Sequence, residues 1–246
     1  MSTQPTADIA IIGGGIIGLS CAYELARQSD RRIVVFDKQL PASGTTGGSA
    51  GVICLHDMGA LYASLTLLGF ARVTELSRDH EFGFRPWGTL FVVYGEGKFP
   101  PEPDAYEQRF GGQPHSIYQR EFLSPVEMRE RFPWIRASVE AVVRRYWHLP
   151  KSVFLNGWCC VYGTTEDGFP IVSRDERLTN FYHALGMNGH GMTCHAGIAQ
   201  IVTELMLRNG TSIDLSAVLG RPGRLDFTGL NAARFRRREL LDFQLR

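Results

Sequence analysis

Hydrophobic positions fall into a few bounded runs. Residues 8–12 (DIAII) read as a short buried strand. Residues 16–28 (IIGLSCAYELARQ) bring Ile17, Cys21 and Leu25 near one face, which predicts an amphipathic helix. Residues 32–36 (RIVVF) are a second β-branched run, so the chain opens with a β–α–β unit. A small-residue loop (PASGTTGGSAG) follows over 41–51. Residues 56–80 predict a helix, apolar at Leu61, Leu65, Leu68 and Val73. A strand over 84–94 is interrupted near Pro86 and Gly88. Gly and Pro crowd 95–115, which reads as surface loop.

The second half starts with a helix signal. Ser124 is the N-cap, Pro125 the first helical residue and Glu127 the third, and the helix stops before Pro133. Residues 153–163 and 169–172 read as strands around a turn at Glu166-Asp167-Gly168, and 178–185 as another strand. Residues 186–192 read as a loop and 196–209 as a helix ending at Gly210. From Leu215 onward seven arginines face three acids. The plain reading is a solvated surface segment; the other is a basic contact for a partner or anionic lipid.

Composition narrows the classes. The 246 residues allow one large domain or two small ones. A hydrophobic content of 44% with 21% charge argues against wholesale disorder. A formal charge of +1 gives no global pull toward nucleic acid or acidic membranes. No apolar run approaches the ~18–20 residues of a membrane span. The start MSTQPTAD lacks the basic flank of a signal peptide, so the expected location is cytoplasmic. The five cysteines (Cys21, Cys54, Cys159, Cys160, Cys194) are irregularly spaced without a C-x2-C pair, which argues against a disulfide framework or a metal site.

The candidate chemistry begins at Gly13-x-Gly15-x-x-Gly18, between the first strand and its helix. Gly13 permits the tight turn, Gly15 a close approach of backbone to a pyrophosphate, and Gly18 close helix–strand packing. The helix start, with Gly14, Ile16 and Ile17 beside these glycines, offers N–H groups and partial positive charge to phosphates. Asp37, 19 residues beyond Gly18, is placed to accept ribose hydroxyls, with Lys38 next to it. The fingerprint alone does not separate FAD from NAD. The loop Gly44-Thr45-Thr46-Gly47-Gly48-Ser49-Ala50-Gly51 adds small residues and hydroxyls suited to a flavin ring and diphosphate.

Three blocks resemble the D-amino-acid oxidase/sarcosine oxidase/glycine oxidase superfamily of FAD-dependent amine oxidoreductases. They are IIGGGIIGLSCAYELARQ…VVFDK, SGTTGGSAGVI, and WCCVYGTTEDGFPIV followed by ALGMNGHGMTCHAGIAQIVTELM. The resemblance implies an α/β chain: a Rossmann-like FAD-binding domain with a reduced α+β substrate domain. Its segments are 1–53 and 158–214 for the FAD-binding domain, 54–157 for the substrate domain and 215–246 for a basic C-terminal tail. It implies that Gly13, Gly15, Gly18 and Asp37 hold the ADP half of FAD. Thr45, Thr46, Ser49 and Ala50, with Gly51, would lie along the diphosphate and isoalloxazine. Gly189, His190, Gly191 and Met192 would present backbone N–H groups to the flavin's pyrimidine edge, where reduction adds negative charge.

The implied reaction is hydride transfer from an amine or amino acid to flavin N5, which needs no strong base. His190 is therefore first a backbone-donor position, with a direct substrate role or plain structure as alternatives. Cys160 stands where some relatives attach flavin covalently, its alternative being a buried strand cysteine. Tyr162 stands where amino-acid dehydrogenase relatives often carry a carboxylate-gripping arginine, leaving Arg85 as a weak substitute. The chain departs from the family in its middle, where residues 133–157 are too few for the usual strands. A compact variant, a chain completed by a partner subunit or its own copy, and an internally deleted, non-catalytic relative all stay open. An NAD-dependent Rossmann enzyme is a further alternative.

Overall fold

The computed structural model describes residues 6–54, 59–86, 124–132 and 161–241. The chain divides into two compact units, one of residues 1–118 and 160–246, the other of residues 119–159.

The first unit opens as its sequence dictates. Strand β1 (Ile9–Ile12) and strand β2 (Ile33–Phe36) pair in parallel, with Ile9 opposite Ile33 and Ile12 opposite Phe36. Helix α1 (Ile16–Gln28) joins them and buries Cys21, Glu24 and Leu25. Cys21 and Leu25 are the predicted apolar face. Glu24 adds a carboxylate to that face, which needs a partner (below).

Helix α2 (Gly59–Asp79) packs Tyr62, Leu65 and Leu68 into the core, all at most 5% exposed. Residues 84–86 are not in a strand; the rest of the run predicted over 84–94 lies outside the described residues, as does the loop over 95–115. In the second unit, helix α3 (Pro125–Arg131) carries the predicted capping box. The Ser124 hydroxyl accepts the Glu127 N–H while the Glu127 carboxylate accepts the Ser124 N–H.

Strands β3 (Ile171–Arg174) and β4 (Tyr182–Leu185) form an antiparallel pair. The turn at Glu166-Asp167-Gly168 stands as predicted, with Gly168 at φ +74°. Residues 161–163, read as the end of a strand, are irregular.

Helix α4 (Gly191–Arg208) starts five residues earlier than its pattern suggested. The glycine at 191 argues for loop, because glycine is costly inside a helix. At the first helical position that cost falls away, since those N–H groups lack an intrahelical partner anyway. The His190 carbonyl accepts the first helical bonds, from Thr193 at 3.0 Å and Cys194 at 2.9 Å. Ten residues of α4 are buried, from Thr193 to Thr203, so this is a central helix clothed on nearly all sides. It crosses α2 closely at two glycines. A Cβ on Gly69 would stand 2.4 Å from the Thr193 carbonyl oxygen, and one on Gly197 would stand 2.8 Å from that of Leu65.

Residues 211–241 are folded, contrary to the reading of the segment from Leu215 onward as a solvated tail. Strands β5 (Ser212–Asp214) and β6 (Arg224–Asp226) pair antiparallel around a short helix α5 (Ser216–Leu219). A 3-10 turn (Thr228–Leu230) and helix α6 (Ala233–Arg237) follow. Leu215, Leu219, Leu225, Phe227 and Leu230 join the main core. Arg234 explains the misreading: it counts as surface charge in the sequence but is 1% exposed. Its Nε meets Asp167 Oδ2 at 2.6 Å, and its Nη2 meets Asp167 Oδ1 at 3.0 Å and the Phe169 carbonyl at 2.8 Å. Burial alone would raise the Asp167 pKa. The Arg234 side chain and the Phe169 and Leu241 N–H groups reverse that and hold the carboxyl below its ordinary value.

Among the described residues the strands make three separate two-stranded sheets, so the architecture is mixed helix and small sheets. No helix among the described residues is long and apolar enough to cross a membrane.

Candidate functional site

The site is built at the N-terminal ends of α1 and α4. At the first, the Gly13 N–H donates to the Phe36 carbonyl at 2.7 Å, tying the glycine loop to the end of β2. A Cβ on Gly18 would stand 1.9 Å from the Gly13 carbonyl oxygen, so the loop folds back on its helix only with glycine there. Asp37 accepts the Gly14 N–H at 2.6 Å and the Gln39 N–H at 2.9 Å. The Gln39 donor, then the Gly14 donor, hold its carboxyl below the ordinary carboxylate range. It is exposed, as is Lys38.

The small-residue loop lies on this turn. Ala42 donates its N–H to the Gly14 carbonyl at 2.8 Å. Thr46 Oγ1 accepts the Ile16 N–H at 3.0 Å, capping α1 from a distant segment. Thr45 donates its hydroxyl to the Val161 carbonyl at 3.0 Å, which brings the second sequence block against the third. Ser49 Oγ accepts the Gly51 N–H at 3.1 Å, Ala50 is exposed, and Gly51 is left-handed at φ +68°.

At the second helix start, Asn188 and Gly189 are both left-handed, with φ of 50° and 84°. The Asn188 side chain fixes this turn. Its Nδ2 donates to the Gly186 carbonyl at 2.6 Å, and its Oδ1 accepts the Thr165 N–H at 2.8 Å. Tyr62 on α2 supports it from below, donating its hydroxyl to the Gly168 carbonyl at 2.8 Å. The Tyr62 ring lies 4.6 Å from the His190 ring, and burial raises its phenol pKa, so it remains a neutral donor. His190 is the N-cap of α4 through its backbone, and its N–H donates to the Met187 carbonyl at 2.8 Å, so it is not the open backbone donor expected from the sequence. Tyr162 is exposed, and its ring would meet a Cβ on Gly189 at 3.3 Å.

These two helix starts share a chemical property. The N–H groups of Ile17 and Gly18 on α1, and of Gly189, Gly191 and Met192 at α4, have no protein acceptor among the described residues. Helix starts of this kind favour anions through aligned donors and the helix dipole. Of these donors Met192 lines a cavity of about 470 Å³ between α1, α2 and α4, together with Ile16, Gly51 and Ile53.

Two predicted residues stand apart. Arg85 is exposed, paired with Glu81 at 3.2 Å and donating to the Phe84 carbonyl at 2.9 Å, and does not line that cavity. Cys160 lies outside the described residues. Sequence reasoning missed three groups. Glu24 is 1% exposed and bound by Arg72 of α2, Nε to Oε1 at 2.5 Å and Nη2 to Oε2 at 3.1 Å. His195, 6% exposed, lies one turn into α4 on the cavity wall. Asn188 organises the turn described above. The available signals were a carboxylate between Cys21 and Leu25 on an apolar face, and a histidine inside an apolar helix.

A parallel β–α–β unit whose glycine turn meets a second donor-rich helix start defines a class of protein that holds a phosphate-bearing cofactor. Residues 8–156 and 135–205 match the FAD dependent oxidoreductase family, and the chain belongs to that family. The family is FAD-dependent. Among curated relatives, D-amino acid dehydrogenase of Helicobacter pylori is 44% identical over 120 residues, 46% of this chain and 29% of the relative. L-2-hydroxyglutarate dehydrogenase of Salmonella houtenae is 31% identical over 131 residues, 51% of this chain and 30% of the relative. A hydrogen cyanide synthase subunit of Pseudomonas aeruginosa is 47% identical over 47 residues, 19% of this chain and 11% of the relative. The chain thus spans about a third or less of the relatives it matches. No solved structure matches it.

Proposed function

We propose that this chain is a FAD-dependent oxidoreductase of amines or amino acids, with a Rossmann-like cofactor cradle formed by its two ends. One observation carries the reading: the second sequence block ties the first to the third, Thr46 accepting the Ile16 N–H and Thr45 donating to the Val161 carbonyl, and Ile16 and Met192 at the starts of α1 and α4 line one cavity. The fit to FAD is chemical. The turn of Gly13, Gly14, Gly15, Ile16, Ile17 and Gly18 would follow a diphosphate, with Ile17 and Gly18 as open N–H donors while those of Gly13, Gly14 and Ile16 are held by Phe36, Asp37 and Thr46; Thr46 keeps a hydroxyl proton to donate. Asp37 is ionised and retains lone pairs for ribose hydroxyls. Lys38, Thr45, Ser49, Ala50 and Gly51 flank the same path. Gly189, Gly191 and Met192 would set backbone donors, and His190 as N-cap the α4 dipole, toward charge that develops on reduction.

Bound FAD supplies the two-electron acceptor for a hydride from the carbon that bears nitrogen. The protein's part is orientation and water exclusion, with Tyr62 and Asn188 holding the donor turn in place. Tyr162 and His190 lie at the edge of this turn, where they would touch substrate. Arg85, paired with Glu81, is a poor grip for a carboxylate. A cytoplasmic location belongs to the same reading.

The test is the absorption spectrum of the purified chain before and after acid precipitation. Flavin bands bleached by an amine or amino acid support the proposal, and a colourless chain that gains no bands with added FAD contradicts it. Colour kept in the acid pellet supports attachment at Cys160; colour released to the supernatant shows non-covalent flavin.

A second reading is favoured by a specific observation. Ile12 is 85% and Phe36 57% exposed, side by side at the end of the β1–β2 pair. Such apolar surface suits coverage by another chain, so the protein would act as a subunit completed by a partner or by its own copy. Size-exclusion mass decides: a coloured, active monomer removes this reading. The NAD-dependent alternative shares the glycine turn and Asp37 but leaves the Gly189–Met192 stretch without a role.

A further inference from the structure

We propose that the cavity between α1, α2 and α4 binds a neutral, largely apolar small molecule that donates one hydrogen bond, with His195 as its acceptor. The volume of about 470 Å³ is that of a small-ligand site, for which about 300–1,000 Å³ is usual. Its walls are apolar, built mainly from Leu19, Ile53, Val73, Leu76, Phe82 and Phe84. The rim is open at Leu19, which is 38% exposed.

His195 sets the hydrogen-bond chemistry. Its Nδ1 lies 2.8 Å from the Met192 carbonyl oxygen. A carbonyl only accepts, so Nδ1 carries the proton and the neutral ring presents a lone pair at Nε2. Burial lowers the ring's pKa, against smaller opposing effects of the Met192 carbonyl and the Glu24 charge, which favours that neutral form. Nε2 has no partner among the described residues, although the residue is 94% buried by its 6% exposure. Nε2 is not among the fully buried unpaired atoms, so it opens onto the cavity, where a ligand's donor can take the place of water.

The charged groups on the wall set the ligand's charge. Arg72 gives Nε and Nη2 to Glu24, and its Nη1 contacts Glu75. Glu24 also takes the Gln28 amide at 3.4 Å. An anion would have to strip Arg72 from its carboxylates, and a cation would have to strip Glu24 from Arg72. Breaking a buried pair from one side is strongly unfavourable, so a neutral molecule is preferred. The cavity shares Ile16, Gly51 and Met192 with the edge of the cofactor cradle, but its acceptor is not one of the cradle's donors. This proposal therefore stands whether or not FAD binds.

The experiment titrates indole and benzothiophene into the full chain by calorimetry. The two match in shape, but only indole carries an N–H donor. The expected result is saturable indole binding at one site and about tenfold weaker benzothiophene binding, the difference of one hydrogen bond. His195→Leu should remove the difference. Leu19→Trp, at the rim, should weaken both at least tenfold and serves as the test if the His195 variant does not fold. Absence of saturable indole binding, equal affinity for both probes in the wild type, or undiminished binding by Leu19→Trp overturns the proposal.

Discussion

The interior of the three long helices and their N-terminal ends treat polar groups in opposite ways. Inside, Thr66 donates its hydroxyl to the Tyr62 carbonyl at 2.7 Å, Ser64 to that of Ala60 at 2.8 Å, and Glu24 is held by Arg72. At the ends, five backbone N–H groups from two distant stretches have no protein acceptor among the described residues. The hydroxyls of Thr74 and Thr203 are the interior exceptions among the described residues, buried without a partner. Open donors at helix starts suit an anion, as the proposed function requires, and the interior holds the two starts in place. Substitutions in the interior should cost stability, and those at the ends should cost affinity.

The largest effect is expected at Arg234. Replacing it with alanine strands the buried Asp167 carboxylate, which is 1% exposed, and should cost about 3–5 kcal/mol in denaturant unfolding. An unchanged midpoint would show that the C-terminal segment is not bound to the turn at Gly168. Next is Gly197→Ala, whose new methyl would meet Leu65 backbone atoms at the α2–α4 crossing. Overpacking there should cost about 1–3 kcal/mol, read as a lower melting temperature. Thr46→Val tests the other region: it removes the cap on the Ile16 N–H, which should cost about 1 kcal/mol of stability. It should also weaken FAD binding about tenfold, and loss of stability with full affinity would place Thr46 in the scaffold instead.

The smallest effect is a pH slope from His195. Its pKa in the folded chain is lowered from 6.5 by burial. As pH falls, the unfolded chain takes up this proton first. The stability it contributes is complete above pH 6.5 and is lost as pH drops through the folded value. The melting temperature of the wild type should decline below pH 6.5 more steeply than that of His195→Leu.

Much of the first unit and the helix start of the second were legible because local rules decide there. The strand, helix and strand from residue 8 to 36, the α2 helix and the Ser124 capping box follow from apolar spacing and cap chemistry alone. The start of α4 was not legible, because Gly191 looks like a loop residue until the His190 carbonyl is seen accepting helical bonds. Arg234 could not be separated from its neighbouring arginines, since only the fold brings Asp167 to it across 67 positions. For the candidate site, the glycine turn and the Gly189–Met192 stretch were readable as separate motifs. The ties between them, Thr46 to Ile16 and Thr45 to Val161, depend on chain reversals that no local pattern encodes. Asn188 and His195 were hidden for a similar reason, as their roles rest on partners in other elements.

The most direct test is FAD titration of the full chain followed by thermal melting, in the wild type, Gly15→Val and Gly189→Val. A Cβ at Gly15 would meet the Thr46 hydroxyl at 3.1 Å, and one at Gly189 the Tyr162 ring at 3.3 Å, so each variant disturbs one half of the cradle. The predicted result is one FAD per wild-type chain, with stability raised by about 2.7 kcal/mol at a hundredfold excess over Kd. Both variants should lose affinity by at least tenfold. Failure of the wild type to bind, or binding that only one of the two substitutions weakens, would contradict a cradle made by both ends of the chain.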